Sequence, residues 1–313
     1  MKGLELSKKY YEEYGKPMLE ADFKDIIPFI AVGLVGSGSD CYGYDDEISH
    51  DHDFEPGFCI FLPNESIIDE KTAFNLERAY NKLPRELCGY KRSLVKPVGG
   101  SRNGVCRTSD FYNKKIGSPD ARLTTQQWLH IPDFALAEAV NGEVFEDNLG
   151  EFTKIRSTLK NMPDDVLLKK LAGNLLIAAQ SGQYNYPRIL KRDETASSQL
   201  ALFEFCNSAA KCVFLLNGKY MPYYKWQFKA LRDLPNGSYF ADSLEFLIST
   251  DNSTDNANIK NEIINNIAEE IINLLRAKNY TNATCNDLEK HAYSVNDFIK
   301  DASLRNENIL IGI

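Results

Sequence analysis

A short apolar run, Ile30–Val35, feeds directly into Gly36-Ser37-Gly38-Ser39, and two acids, Asp51 and Asp53, follow one residue apart. An apolar run this short, closed by a glycine turn, has the length of a buried strand and is too brief for a helix. Glycine reaches backbone angles closed to other residues, so the chain can reverse tightly at 36–39. A chain built this way must assemble a sheet around that strand.

The same window suits phosphate chemistry. Small residues let backbone N–H groups approach phosphate oxygens, and a concavity of such groups attracts anions. A helix starting near Asp40 would add the partial positive charge of its N-terminus, and the hydroxyls of Ser37 or Ser39 can donate to a terminal phosphate. On an extended strand the carboxylates of Asp51 and Asp53 would leave from one face. Magnesium takes hard oxygen ligands of this kind together with phosphate oxygens and water. Two such ions, about 4 Å apart, would bind the attacking and leaving oxygens of an in-line displacement. Neither G-x-x-x-x-G-K-[ST] nor G-x-G-x-x-G occurs, which sets aside the P-loop and the dinucleotide fingerprint. His52 and Asp53 also invite a metal-dependent phosphohydrolase reading. That dyad belongs on helices, however, and here Pro56, Gly57 and FCIFL (58–62) read as a turn and a buried strand. With four histidines and no cysteine pair at zinc spacing, a structural zinc site is disfavoured.

The apolar strand, the Gly38-Ser39 turn, the spacer with Gly43 and the Asp51/Asp53 pair together resemble the nucleotidyltransferase superfamily of DNA polymerase beta. The spacer is slightly longer than in the antibiotic-modifying members, and His50 and His52 stand where apolar residues are commoner. More closely, DDEISHDHDFEPGF, GEVFEDNLGEFTKIR, SGQYNYPR and LNGKYMPYYKW make most of the chain, up to about residue 235, similar to a bacterial group of the DUF4037 type. The resemblance implies an α+β fold: a small mixed nucleotidyltransferase sheet with helices, followed by an all-helical bundle. It also implies magnesium-dependent transfer of a nucleoside monophosphate, with ATP as default donor, to a hydroxyl of a small molecule or protein. Asp51 and Asp53 would hold two magnesium ions, and Gly38 and Ser39 would seat the phosphates. A third carboxylate on a later strand usually binds metal or takes the acceptor proton. Asp110, after the short apolar stretch around Val105, is the first choice, with Asp120, Asp133 and Glu138 as rivals. If none is suitably placed, the domain would bind nucleotide without transferring it.

Length and charge narrow the partners. The chain of 313 residues is long enough for two domains, expected as 1–150 and 151–313. A net charge of −8 argues against a broad basic surface for extended nucleic acid. No apolar run approaches a membrane span, and the charged opening MKGLELSKKYYEEYG does not read as a signal peptide. Seven scattered cysteines, mostly in apolar strings, read as buried free thiols of a cytoplasmic protein.

Along the chain, helical spacing predicts an opening helix over 2–21 and a helix over 66–83, with Ser66 as N-cap and Asp69 three residues later. Thr108 or Ser109 is expected to cap a short helix holding Phe111 and Tyr112. Two helices, 124–129 and 133–140, are expected around Pro132, the second stopped by Asn141-Gly142. Beyond residue 150, stripes over 152–159, 164–179, 194–216, 223–231 and 259–277 predict helices, with Gly182 ending the second and a polar loop STDNSTDNAN before the last. Between helices, QYNYPR places Arg188 in a turn where its planar fork could face phosphate, or simply be solvated. In LNGKYMPYYKW, Lys225 is assigned to a phosphate by resemblance to aminoglycoside adenylyltransferases. Tyr220, Tyr223 and Trp226 read as packing between helices.

Overall fold

The computed structural model describes residues 1–51, 54–92 and 102–313, without the side chains of His50, Asp51 and Thr254. It is an α+β protein. The described chain divides into two compact units, one formed by 1–123 and 135–160, the other by 124–134 and 161–313.

The first unit is organised by the apolar run found in the sequence. β1 (Ala31–Leu34) is buried along its whole length and lies between β2 (Cys59–Leu62) and β6 (Glu143–Asp147). Both pairings are antiparallel, with Val32 opposite Ile60 on one side and Glu146 on the other. Two short strands, β3 (Glu86–Leu87) and β4 (Tyr90–Lys91), form a separate ribbon. β5 (Gly104–Arg107) runs parallel to β2 and completes the order β5-β2-β1-β6. A parallel neighbour needs a crossover connection, and the helix Glu70–Lys82 lies in the stretch between β2 and β5.

One face of the sheet is covered by the opening helical stretch, Gly3–Tyr10, a π turn Tyr11–Gly15, and Lys16–Asp22. Its Leu6, Tyr10 and Tyr11 join Val32, Phe58, Ile60 and Leu62 in one core, and the Tyr11 ring meets Phe58 edge-on at 5.2 Å. Burying each such side chain stabilises the fold by about 1.5–3 kcal/mol, so this cluster is what makes the short strands persist. Tyr80 enters the same core and satisfies its hydroxyl on the backbone of Phe58. It donates to the Phe58 carbonyl (2.8 Å) and accepts from the Phe58 N–H (3.0 Å).

The second unit is helical: Thr125–His130, Asp164–Ala178, Tyr186–Leu190, Thr195–Leu216, Tyr224–Arg232, Gly237–Ser249, Thr254–Ala277, Leu288–Asp297 and Ala302–Asn306. Two lysines sit wholly inside it. Lys169 donates to Asn296 Oδ1 (3.0 Å) and the Glu307 carbonyl (2.8 Å). Lys260 donates to the Thr250 carbonyl (2.8 Å) and Asn252 Oδ1 (3.1 Å). Burial pulls both ammonium groups below their ordinary pKa, and carbonyl acceptors offset part of that desolvation.

Several sequence expectations are corrected. The cap of the helix Glu70–Lys82 is Asp69, which accepts from the Thr72 N–H at 2.8 Å, while Ser66 hydrogen-bonds Asn64 instead. The helix after β5 is preceded by Arg107 as N-cap, so Thr108 is its first residue rather than its cap. Gly182 ends no helix. It lies in a π-helical stretch, Ala179–Asn185, that runs into Tyr186–Leu190, and a Cβ there would strike the Phe205 ring. The gap in the side-chain pattern therefore serves packing, not termination. The polar string before the last long helix is half helical, since that helix starts at Thr254. A helix over Gly237–Ser249 was not anticipated, although Phe240, Ala241, Leu244 and Leu247 show its buried stripe. Thr195–Leu216 is long and apolar enough to cross a membrane by length and composition, and 61% of its apolar window is buried within the protein. Glu204 and Lys211 interrupt its apolar run in the sequence. Finally, Cys88 and Cys285 are exposed thiols rather than buried ones, and all seven cysteines are free.

Candidate functional site

β1 delivers the chain into the loop 36–39, where Gly36 (φ 104°) and Gly38 (φ 120°) take left-handed angles, as does Gly43 (φ 70°) just beyond it. The requirement at Gly38 is steric as well, because a Cβ would collide with the Arg102 guanidinium and Asp40. The loop then enters a single 3-10 turn, Asp40–Tyr42, in which the Ser39 carbonyl accepts from the N–H groups of Tyr42 (3.1 Å) and Tyr44 (2.9 Å). Tyr42 and Tyr44 stack with ring centroids 5.8 Å apart.

Three side chains from distant positions hold this loop. Asn141 clamps Gly36 at both backbone groups, its Oδ1 accepting from the Gly36 N–H (2.8 Å) and its Nδ2 donating to the Gly36 carbonyl (2.7 Å). Arg102 forks onto Asp40, with bonds of 3.0 and 2.9 Å, and also donates to the Ser37 carbonyl at 2.9 Å. Lys115 donates to Ser37 Oγ at 2.7 Å and to Glu138, while Ser37 Oγ itself donates to Glu138 Oε2 at 2.8 Å.

Asn141 is held in turn. Gly142 (φ 68°) must be a glycine because a Cβ would press on the Leu34 carbonyl, and its N–H donates to the Cys41 carbonyl at 2.9 Å. The guanidinium of Arg156 gathers the carbonyls of Val140 (3.1 Å), Asn141 (2.7 Å) and Gly142 (3.3 Å), the C-terminal end of the helix Asp133–Val140. A cation there completes the unpaired helical carbonyls and complements the helix dipole. Burial lowers the Arg156 pKa from its usual high value without threatening its charge. Burial raises the thiol pKa of Cys41 well above normal and that of Cys59 to about 12, so neither is a thiolate nucleophile at neutral pH.

The predicted site residues distribute as follows. Gly38 and Ser39 lie in the loop as expected. Asp51 closes a 3-10 turn, Ile48–Asp51, rather than lying on an extended strand, and β2 begins only at Cys59. Asp53 and His52 lie outside the described residues, as do the side chains of Asp51 and His50. Among the described residues, no group of three His, Cys, Asp or Glu is placed to share a metal ion. Asp110 is exposed in the first turn of the helix Thr108–Ile116, not on a strand. It precedes Lys115 on that helix by about 7.5 Å of axial rise. The rival acids are engaged: Asp120 with Arg122 (2.6 Å), Asp133 with Lys170 (3.0 Å), and Glu138 with Lys115.

Arg188 and Lys225 belong to the second unit. Arg188 lies on a helix rather than in a turn, with its guanidinium 4.6 Å from the centre of the Tyr184 ring. Lys225 is exposed, its ammonium 4.9 Å from the Trp226 ring centre. Tyr223 is 46% exposed and so is not core. The residues that sequence reasoning missed around the loop are Arg102, Lys115 and Asn141. Each is far from the loop in sequence, so no local spacing marks them; only the stop signal at Asn141-Gly142 was visible, and it pointed to a helix end.

A family model described as Domain of unknown function (DUF4037) matches residues 128–227. No curated protein and no solved structure matches the chain. The matched stretch contains Glu138, Asn141, Arg156, Arg188 and Lys225, and it excludes the loop 36–39 and the acids at 51 and 53.

Proposed function

We propose that this protein is a magnesium-dependent nucleotidyltransferase that moves a nucleoside monophosphate, AMP by default, from the triphosphate to a hydroxyl of a small molecule or protein. The observation that carries the reading is the loop leaving β1: left-handed glycines at 36 and 38, with Ser37, Arg102 and Lys115 around them. Positive-φ glycines beside cations are how a backbone loop receives phosphate. The chain then passes through the Asp51 and Asp53 segment before it enters β2, the antiparallel neighbour of β1.

The donor chemistry at that segment fits magnesium, since aspartate oxygens are the hard ligands it prefers, and Asp51 and Asp53 would hold it. The metal would supply charge neutralisation of the triphosphate. In the transfer, the acceptor oxygen bonds to the α-phosphorus as the bond to the pyrophosphate oxygen breaks. The hydroxyl proton passes to a carboxylate, for which Asp110 is the assigned base. Free thiols at exposed Cys88 and Cys285 favour a reducing cytoplasmic setting.

One observation favours a second reading, a nucleotide-binding module without transfer. The loop's cations already face internal carboxylates, Arg102 with Asp40 and Lys115 with Glu138, and Asp110 stands on a helix rather than a strand. Calorimetric titration of ATP with magnesium into wild type and the double variant Asp51→Asn, Asp53→Asn tests the proposal. The magnesium-dependent part of binding is expected to vanish in the variant. Equal binding by both proteins, or none by wild type, would overturn the assignment. Binding that depends on the acids, with no labelled product across a panel of hydroxyl acceptors, would select the module without transfer.

A further inference from the structure

We infer that the helical unit carries a second binding site, for a small organic anion built on a flat ring. This site is independent of the nucleotide reading. It is a cavity of about 690 Å³, within the usual size range of ligand pockets. It is bounded by the segment 129–134, the helix Asp164–Ala178, Lys211, the loop 221–224 and the segment 310–313.

Flat apolar surface is left open beside it. Phe134, Tyr223 and Tyr224 are 42%, 46% and 72% exposed. Tyr223 packs edge-on to Phe134 (6.1 Å) and against Tyr224 (4.2 Å), so the three rings form one wall at the cavity. Uncovered aromatic faces arranged this way favour a stacked ring as occupant.

The charged side chains on the lining are Lys170, Lys211 and Asp133, two cations against one anion. Lys170, on the cavity lining, is buried and already neutralised by Asp133 at 3.0 Å, and it also donates to the Ile131 carbonyl at 3.2 Å. Lys211, also on the lining, has no hydrogen-bond or ion-pair partner among the described residues. One lysine thus remains to receive an anionic group.

Acceptors complete the lining. Asn174 is buried and spends its Nδ2 on the Lys170 carbonyl at 2.8 Å, which leaves its carboxamide oxygen for a ligand donor. His130 Nδ1 lies 2.8 Å from the Gln126 carbonyl and is the donor there, so in the neutral ring Nε2 is an acceptor. All of the lining except 310–313 falls inside the DUF4037 match, which starts one residue before Leu129 and ends three after Tyr224.

The test uses the full chain and two fluorescent probes: anilinonaphthalene sulfonate, a flat ring with an anion, and phenylnaphthylamine, the same ring system without it. The sulfonate is expected to bind saturably at one site, and Lys211→Ala to weaken it about tenfold while leaving the neutral amine unchanged. Tyr224→Ala weakens both probes, and Lys191→Ala, at an exposed position outside the cavity, weakens neither. Equal loss of both probes in Lys211→Ala would mean that the cavity has collapsed; Lys211→Gln then repeats the comparison, and its failure to separate the probes overturns the site. Non-saturable binding, or no effect of Lys211, overturns it directly. Competition identifies the anion: displacement of the sulfonate by benzoate assigns a ring carboxylate, displacement by AMP a phosphate ester, and displacement by neither refutes the assignment.

Discussion

Asn141 is where the loop's geometry is most exposed to a single substitution. Asn141→Ala removes both of its bonds to Gly36 and strands the Gly36 N–H and carbonyl in a buried stretch of backbone. A buried backbone group left without a partner costs about 1–3 kcal/mol. Two such groups set the range at roughly 2–6 kcal/mol, and because Asn141 is itself only half-buried, water can reach the gap and bring the effect to about 2 kcal/mol. That corresponds to roughly a thirtyfold increase in local opening. Native-state hydrogen exchange of peptides covering residues 31–44 reads this directly. Both tryptophans, Trp128 and Trp226, belong to the second unit, so tryptophan fluorescence serves as a control that should not change. Asn148→Ala, which loses one exposed bond to the Ile27 carbonyl (3.1 Å), is the comparison variant. If exchange around Gly36 rises by less than about threefold, the clamp does not hold the loop and the energetic reasoning fails.

Other substitutions test other parts of the molecule. Glu138→Gln removes the carboxylate that shares Lys115 and Ser37, so magnesium-ATP affinity should rise about three- to tenfold by calorimetry, while Lys115→Met lowers it; no change in either variant would detach this cluster from phosphate binding. Tyr80→Phe keeps the ring and deletes the hydroxyl that pairs with Phe58, so unfolding free energy should drop by about 1–3 kcal/mol in urea titrations followed by circular dichroism. His291 is buried between Thr281 (2.8 Å) and the Cys285 carbonyl (2.8 Å), and burial holds its pKa below 6.5. The unfolded state therefore binds the proton more readily, so this stability is present above pH 6.5 and declines as pH falls through the folded value. His291→Gln should flatten that acid limb of the thermal midpoint between pH 7 and 5, and an unchanged slope would refute the assignment.

What could be read in the residues themselves was whatever depends on near neighbours. The run Ile30–Val35 specified β1, FCIF specified β2, and apolar stripes at helical spacing specified four helices of the second unit, Asp164–Ala178, Thr195–Leu216, Tyr224–Arg232 and Thr254–Ala277. The glycines at 36, 38 and 43 announced a tight turn because only that residue takes those angles readily. Readings failed where a residue's role is set by something far away in sequence. Gly182 looked like a stop signal but makes room for Phe205, and Ser66 looked like a cap but serves Asn64. Tyr223 looked like core but lies open beside a cavity. The loop itself is legible in sequence, yet its partners are not. Asn141 lies 105 residues from Gly36, and Lys115 lies 78 from Ser37. Hydrogen bonds between such positions have no period and no motif, so only the folded sheet and its helices could decide which side chains meet the loop.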